Sequence, residues 1–271
     1  MTTPSFASSL LTKRALIGMI HVGALPGTPA AREPLSALIA RAREEAQLYR
    51  AAGFTALAIE NMHDRPYLKG AVGPEIVAAM TAVGRAVREA VDLPLGVQVL
   101  AGANREALAV ALACDAVFVR VEGFVFAHVA DEGWIDASAG ELLRYRRAIG
   151  AEHVAVFADL KKKHSAHAVT ADVSLAETAK AAEFFLADGV IVTGTSTGEP
   201  ASPQDVAEVR NATSRPVLVG SGLTPQNLAQ LASAHAYLVG SSVKQGGLWS
   251  NGLEPAACEA VAKAFAALPK A

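Results

Sequence analysis

Eight short apolar runs, each followed by a stretch with helical spacing, constrain the fold of this 271-residue chain more than any other feature. The runs cover residues 16–22, 56–61, 95–100, 116–121, 154–160, 189–194, 216–222 and 236–241. Continuous runs rich in Val, Ile, Leu and Ala are typical of parallel strands whose two faces are both covered. Their starts lie roughly 20 to 40 residues apart, which leaves room each time for a crossover helix.

Helix-start chemistry in the intervening segments supports the same pattern. Ser174-Leu-Ala-Glu177 has the form of a capping box, and Gly189 ends the helix that follows it. Prolines stand where a first helical turn would begin, at Pro34, Pro74, Pro203 and Pro225. Because no linker or composition break divides the chain, we predict an α/β fold with one (β/α)8 barrel over residues 16–271. Residues 1–15 are predicted to form a plain N-terminal extension, and a doubly wound open sheet is the alternative fold.

Composition excludes several classes of protein. Hydrophobic residues make up 52% of the chain and charged residues only 18%, which excludes an intrinsically disordered protein. A net charge of −2 provides no basic field for nucleic acid or an anionic membrane. No window reaches about 18 uninterrupted apolar residues, so we predict no membrane insertion. Cys114 and Cys258 lie far apart in apolar settings, as expected for buried free thiols in a cytoplasmic protein.

Polar side chains interrupt the apolar runs mainly at their carboxyl ends. In a (β/α)8 barrel those ends and the loops that follow them build the working face. Burying several unpaired charges would cost several kcal/mol each, so the polar ends predict either mutual pairing or a wet ligand cavity. The candidate catalytic residues are His21, Glu60, Asp159, Lys161, Lys163 and His164. The candidate substrate-binding residues are Asn61, Gln98, Arg120, Glu122 and Thr193.

Glycine and hydroxyl residues follow the last three runs. Glycines let backbone N–H groups approach an anion, and hydroxyls add further donors. The loops after the last two strands of such barrels frequently hold phosphate. The candidate phosphate-binding residues are Gly194, Gly220, Ser221, Gly222, Gly240, Ser241 and Ser242, and residues 195–198 could add donors. Tight-turn glycines without a ligand are the alternative interpretation.

Asp159 and Lys161 stand two residues apart at the end of the fifth run, so both should point to the same side of a strand. Such a carboxylate and ammonium could move a proton or hold a sugar hydroxyl, and a buried lysine could form a Schiff base. Three lysines follow one another here, and we expect either Lys161 or Lys163 to face the site, with Lys162 pointing away.

No cofactor or metal is predicted. The sequence has neither a GxGxxG fingerprint after a strand nor a GxxxxGK[ST] loop. His21, Glu60, Asp159 and His164 could supply oxygen and nitrogen ligands, but they have no tight local spacing.

Several sequence blocks together resemble the BtpA/SgcQ family. They are Gly18-Met-Ile-His21 with Ala24-Leu-Pro-Gly27, Glu60-Asn61, Pro74-Glu75, Ala78-Ala79-Met80-Thr81, Glu141-Leu-Leu-Arg144-Tyr145-Arg146, Lys163-His164, Gly220-Ser-Gly222 and Val239-Gly240. The resemblance covers nearly the whole chain and implies a (β/α)8 barrel of the ribulose-phosphate-binding group.

The chain departs from the photosynthetic members of that family on the predicted ligand face, at Gln98-Val-Leu-Ala-Gly-Ala103-Asn104 and Arg120-Val-Glu122. The resemblance therefore does not carry over a role in photosystem biogenesis. Members are often labelled phosphoribosylanthranilate isomerases. The resemblance to that enzyme implies a catalytic cysteine at the end of the first strand, but this chain has His21 there, which argues against that activity.

The residues favour an enzyme that acts on a phosphorylated sugar or another small phosphate ester, as an isomerase, epimerase or lyase. The alternative is a non-catalytic assembly or regulatory factor of the BtpA type that reuses the barrel. Apolar helix faces on an Ala-rich barrel also predict a homo-oligomer.

Overall fold

The computed structural model describes residues 5–194 and 199–269 of the chain. Its eight central strands are parallel and close into a barrel, because the first strand pairs with both the second and the last. This confirms the predicted (β/α)8 barrel and excludes the open sheet. Within the described ranges, no helix is both long and apolar enough to cross a membrane.

The strands in chain order are β1 (Ala15–His21), β2 (Ala56–Glu60), β3 (Leu95–Gln98), β4 (Phe118–Val121), β5 (His128–Ala130), β6 (Gly133–Ile135), β7 (Ala155–Leu160), β8 (Ser165–Ala166), β9 (Gly189–Val192), β10 (Val217–Val219) and β11 (Ala236–Val239). The helices are α1 (Phe6–Leu10), α2 (Leu35–Ala52), α3 (Pro74–Ala90), α4 (Asn104–Ala113), α5 (Ala139–Ala148), α6 (Leu175–Phe184), α7 (Pro203–Ala212) and α8 (Pro255–Ala266). Short 3-10 turns cover Ala168–Thr170, Leu228–Leu231, Ser241–Val243 and Gln245–Gly247.

The barrel runs in the order β1-β11-β10-β9-β7-β4-β3-β2. The capping box that was predicted before α6 is present, with Ser174 and Glu177 bonded to each other's backbone N–H groups. Between β10 and β11 the chain forms only the 3-10 turn Leu228–Leu231 and no α-helix follows Pro225, so that helix prediction was wrong. The segment between these two strands is short, and Asn227 donates to the Gly222 carbonyl and so ties the turn to the strand end.

The inside of the barrel is apolar toward the amino ends of the strands, called the lower end here, and polar toward their carboxyl ends, called the upper end. Alternate residues of a strand point to the same face, so the inward positions can be followed two by two along each strand. The lower positions form one buried cluster: Ala15, Ile17, Met19, Ala56, Ala58, Phe118, Ala155, Phe157, Ile191, Leu218, Ala236 and Leu238. The same alternation continues upward to His21, Glu60, Gln98, Arg120 and Asp159, so that strand geometry gathers these polar groups at the carboxyl end.

The N-terminal extension closes the lower end of the barrel. Helix α1 buries Ala7 and Leu10 against the inner cluster, and the Phe6 ring stacks on Phe118 with 5.1 Å between ring centroids. Strand β1 begins at Ala15, next to the expected boundary. The described part of the extension is therefore a plug that excludes water from the amino end of the barrel.

A small antiparallel sheet lies beside the barrel mouth. It has the strand order β6-β5-β8 and joins the long loop after β4 to the loop after β7. The loop between β4 and α5, which carries Phe124, Phe126 and Trp134, thus contains a hairpin, and Glu132 at its turn reaches back to Lys162 at 3.3 Å.

Candidate active site

A cavity of about 220 Å³ lies at the carboxyl end of the barrel. The loops after β10 and β11 form one side of its wall, and polar side chains at or just beyond the ends of four other strands form the other. The predicted site residues that line it are His21, Glu60, Arg120, Lys163, Gly220, Ser221, Gly222, Gly240, Ser241 and Ser242. The structure therefore brings together predicted residues from six separate strand ends.

The glycines on the loop side have close neighbours. A Cβ atom at Gly240 would lie 3.1 Å from Nε2 of His21, and one at Gly220 would lie 2.7 Å from a side-chain carbon of Ile191. Gly222 has φ +60, a conformation that favours glycine. The Ser242 hydroxyl is buried and has no hydrogen-bond partner among the described residues. Such loops present backbone and hydroxyl groups to the cavity without side-chain bulk, as anion binding requires.

His21 is held as a neutral base. Its Nδ1 lies 2.9 Å from the backbone carbonyl of Trp249. A carbonyl only accepts, so Nδ1 carries the proton and Nε2 keeps a free lone pair. Burial, with the nearby charge of Lys244, lowers the pKa of His21 to about 3. Nε2 lies 3.7 Å from a carboxylate oxygen of Glu60, whose own pKa burial raises.

Lys163 is the amine at the centre of the site. No carboxylate of the described residues lies within ion-pair distance of its ammonium, although Glu60, Asp159 and Glu122 are near enough to affect it. Burial and the charge of Arg120 outweigh these carboxylates and lower the pKa of Lys163. The uncharged amine is therefore reached at a lower pH than in free lysine.

Arg120 and Asp159 form a buried pair beneath the cavity. Nε and Nη2 of Arg120 each donate to one carboxylate oxygen of Asp159, both at 2.9 Å. The two side chains are 5% and 1% exposed. The expected pairing of Asp159 with the lysine two residues on, Lys161, does not occur, because both oxygens of its carboxylate accept from Arg120.

A second cavity of about 260 Å³ adjoins the first and shares Glu60, Met62, Arg120 and Lys163 with it. Gln98 and Glu122 from the strand ends contribute to its wall, as does His164. Lys162 also lines it, so the expectation that Lys162 points away was wrong. Its ammonium lies 3.2 Å from Glu122 and 3.3 Å from Glu132. Burial disfavours the charge of Lys162, but these two carboxylates outweigh that cost and raise its pKa.

Lys161 does not reach either cavity. Strand β7 ends at Leu160, and Lys161 takes φ 47, so the alternation of faces stops there. Its ammonium donates to the Val173 carbonyl at 2.6 Å. Lys161 thus holds the loop before α6, and Lys163 is the lysine that lines the first cavity.

Three further predicted residues lie outside both cavities. Asn61 accepts from the Leu100 N–H at 2.7 Å and donates to Asp64 at 3.0 Å, which makes it a loop anchor. Thr193 is next to the barrel interior, and its buried hydroxyl has no hydrogen-bond partner among the described residues. Gly194 packs against the backbone of Glu199, while residues 195–198 lie outside the described ranges.

Sequence reasoning missed three contributors. Glu132 and Trp249 reach the site from loops, and no local pattern marks them. Lys244 is 1% exposed and lies 2.9 Å from the Glu45 carboxylate, which ties the loop after β11 to α2. Its place just beyond Gly240-Ser-Ser is the one signal that was available. In the described ranges, no three His, Cys, Asp or Glu side chains are grouped as a metal site would require.

Comparisons with known proteins give the family. Residues 12–267 match the BtpA family. An uncharacterised mitochondrial protein of Caenorhabditis elegans is 49% identical over 90% of this chain and 91% of its own length. The photosystem I biogenesis protein BtpA of a Synechocystis strain is 35% identical over 94% of this chain and 89% of its own length.

Among solved structures, the chain resembles (S)-3-O-geranylgeranylglyceryl phosphate synthase of Thermoplasma acidophilum in complex with its substrate sn-glycerol-1-phosphate. The TM-score is 0.61 and the identity 15%, over 97% of this chain and 98% of the synthase. That likeness shows the barrel fold alone, whereas the sequence match shows the family. The chain belongs to the BtpA family.

Proposed function

We propose that the chain is an enzyme that acts on a phosphorylated sugar or another small phosphate ester by proton transfer next to a carbonyl. One observation carries the proposal. A single cavity has glycine and serine loops on one side and, on the other, the amine of Lys163, which has no ion-pair partner among the described residues, beside the neutral imidazole of His21. The structural neighbours include enzymes of phosphate esters, which agrees with an anion site at this end of the barrel.

The phosphate would lie against Gly220-Ser-Gly222 and Gly240-Ser-Ser242. Backbone N–H groups and hydroxyls there can donate to phosphate oxygens, and the unpartnered Ser242 hydroxyl would gain a partner. The negative charge would also face Lys163, whose ammonium has no carboxylate of the described residues within ion-pair distance. The carbonyl end of the substrate would then lie near Lys163 and Nε2 of His21.

The proposed chemistry uses the carboxylate of Glu60, whose pKa burial raises, together with Nε2 of His21 3.7 Å from it. One of these two bases takes a proton from the carbon next to the carbonyl, and the C–H electron pair moves toward the carbonyl oxygen. As an ammonium, Lys163 stabilises the oxyanion that forms. As an amine, it adds to the carbonyl and expels water, and the resulting iminium accepts the same electron pair. Isomerisation, epimerisation and carbon–carbon cleavage all use such an intermediate.

Ligand-induced thermal shift with a panel of sugar phosphates, glycerol phosphates and inorganic phosphate tests the substrate class. We expect stabilisation by at least one phosphate ester, which Lys163→Met reduces and the exposed Lys263→Met leaves unchanged. If neither a phosphate ester nor inorganic phosphate stabilises the wild-type chain, the proposal is wrong. Borohydride trapping with a stabilising sugar phosphate then separates the two roles of Lys163, because only an iminium is reduced to a stable adduct.

The name of the Synechocystis relative suggests an assembly role for that protein. If this chain has such a role instead, Lys163→Met would keep it and surface substitutions would remove it. The buried charges of the cavity argue for catalysis, because a scaffold gains nothing from the cost of burying them.

We also propose that the chain forms a homo-oligomer. Phe184, Phe185 and Leu186 are consecutive apolar residues at the end of α6, with exposures of 81%, 47% and 62%. Covering them with a second copy would remove this apolar surface from water. Light scattering should show a mass above one chain, which Phe184→Asp lowers, and a monomer at micromolar concentration would contradict the proposal.

A cytoplasmic location is proposed on the state of the cysteines. Cys114 and Cys258 are both buried and unpaired, as in proteins of reducing compartments. The nematode relative is named as mitochondrial, so imaging of the tagged full chain in its own cell is the deciding measurement.

A further inference from the structure

The two adjoining cavities have opposite preferences for charge. Among the described residues, the walls of the first cavity carry one carboxylate, Glu60, which also lines the second cavity. The walls of the second carry Glu60, Glu122, Asp131 and Glu132. An anion therefore fits the first cavity, and a second anion in the neighbouring cavity would meet several like charges.

The cations of the second cavity do not reverse this preference. Lys163 lines both cavities, and the phosphate proposed for the first cavity would compensate its charge. Lys162 is already engaged by Glu122 and Glu132, at 3.2 and 3.3 Å. Arg120 is held by both oxygens of Asp159. Arg65 is exposed at the rim, where its guanidinium lies 4.9 Å from the centre of the Trp249 ring. Solvent screens the charge of Arg65, and that of the exposed Asp131, much more than the charges of the buried Glu60 and Glu122.

The second cavity instead offers hydrogen-bond acceptors. Oε1 of Gln98 is buried and has no hydrogen-bond partner among the described residues, because the amide nitrogen is the end that faces Glu122. A carboxylate can accept two or more hydrogen bonds at each oxygen. Hydroxyl groups of a ligand are donors that suit this wall and carry no charge into it.

We propose that the substrate is the monophosphate of a neutral, polyhydroxylated compound, with its phosphate in the first cavity and its hydroxyl-bearing end in the second. This inference rests on the proposed function and narrows it. It excludes sugar bisphosphates and phosphorylated carboxylic acids as preferred ligands. Glu122 and Gln98 become the specificity-determining residues, since they are buried acceptors that line the second cavity and not the first, unlike Glu60, which lines both.

A matched pair of ligands tests the charge preference on the intact wild-type chain. Glucitol 6-phosphate and 6-phosphogluconate share a six-carbon hydroxylated chain and a phosphate, and they differ at the far end by a hydroxymethyl group against a carboxylate. Isothermal titration calorimetry at physiological salt should give a Kd for 6-phosphogluconate about tenfold or more above that for glucitol 6-phosphate. Glu122→Gln should narrow this ratio, because it removes one buried negative charge at nearly constant shape. The exposed Glu44→Gln is the matched control and should leave the ratio unchanged.

Each result decides one of the two proposals. If 6-phosphogluconate binds as tightly as glucitol 6-phosphate and inorganic phosphate displaces both, the substrate inference is wrong while the proposed function stands. If neither compound nor inorganic phosphate binds, the proposed function is wrong and the inference fails with it. If Glu122→Gln has the same ratio of the two Kd values as the wild-type chain, the acceptor wall is not the source of the discrimination and the inference about it is wrong.

Discussion

Asp159→Asn should destabilise the chain by about 3 kcal/mol, because it leaves the buried Arg120 without its counter-ion. Two unit charges about 4 Å apart attract by about 4 kcal/mol at the effective dielectric constant of protein sites. Both donor–acceptor distances are 2.9 Å and the two side chains are almost fully buried, so little of this attraction is screened. Breaking a buried pair from one side costs about 3–5 kcal/mol, and the nearby Glu60 and Glu122 place the cost at the lower end.

Urea denaturation measures the loss, and the melting temperature should fall by roughly 5 °C for a chain of this length. Asp92→Asn removes an exposed carboxylate and serves as the control. The double variant Arg120→Met with Asp159→Leu should be more stable than Asp159→Asn, because it removes the uncompensated charge as well. A loss below about 1 kcal/mol in Asp159→Asn would refute the view that this pair is buried and strongly coupled.

Three other outcomes are expected. Gly240→Ala should weaken phosphate-ester binding by about tenfold or more, since its methyl group would lie 3.1 Å from Nε2 of His21. Gly252→Ala is the control, because nothing lies within 4 Å of its added methyl group. Equal affinities of the two variants, measured by calorimetry, would contradict the close approach at Gly240. Burial lowers the pKa of His235 from 6.5 to about 4 in the folded chain. Between these two pH values the unfolded chain protonates His235 and the folded chain does not, so the free energy of unfolding should fall as the pH drops from about 6.5 to about 4. The free energy of unfolding should lose up to about 1.4 kcal/mol per pH unit through this group, and His235→Asn should reduce the slope in urea titrations. Burial raises the pKa of both cysteine thiols, Cys114 and Cys258, to about 11. A thiol reagent should therefore label the folded chain only as fast as local unfolding exposes these side chains. Prompt labelling at neutral pH would argue against their burial.

The barrel and the polar layer at its mouth could be predicted from the sequence because both follow from alternation along strands. An apolar run that ends in a polar residue places that residue at a known height and on a known face. Glu60 and Gln98 were found in this way, and the strand register sets them side by side on β2 and β3. The same reasoning placed His21 at the end of β1.

Alternation stops being informative where a strand ends. Lys161 was expected on the face of Asp159, but its positive φ turns the chain and Lys163 takes the inward place. Nothing in three consecutive lysines shows where that turn falls. The buried partners were equally hidden, because Glu132 and Trp249 reach the site across long sequence separations. The short connection after β10 carried helix-start chemistry that tertiary packing overrode.

The chemistry of His21 depends on a loop rather than on its own strand. Strand β1 fixes the position of the imidazole, but the carbonyl of Trp249 determines which nitrogen holds the proton. That carbonyl is backbone, so no side-chain substitution removes it. The loop is held instead by the Trp249 ring, which packs 5.0 Å from His63 and beneath Arg65. A substitution of Trp249 would therefore act on His21 only by letting the loop shift, and its effect on proton transfer would measure how firmly that packing holds the carbonyl in place.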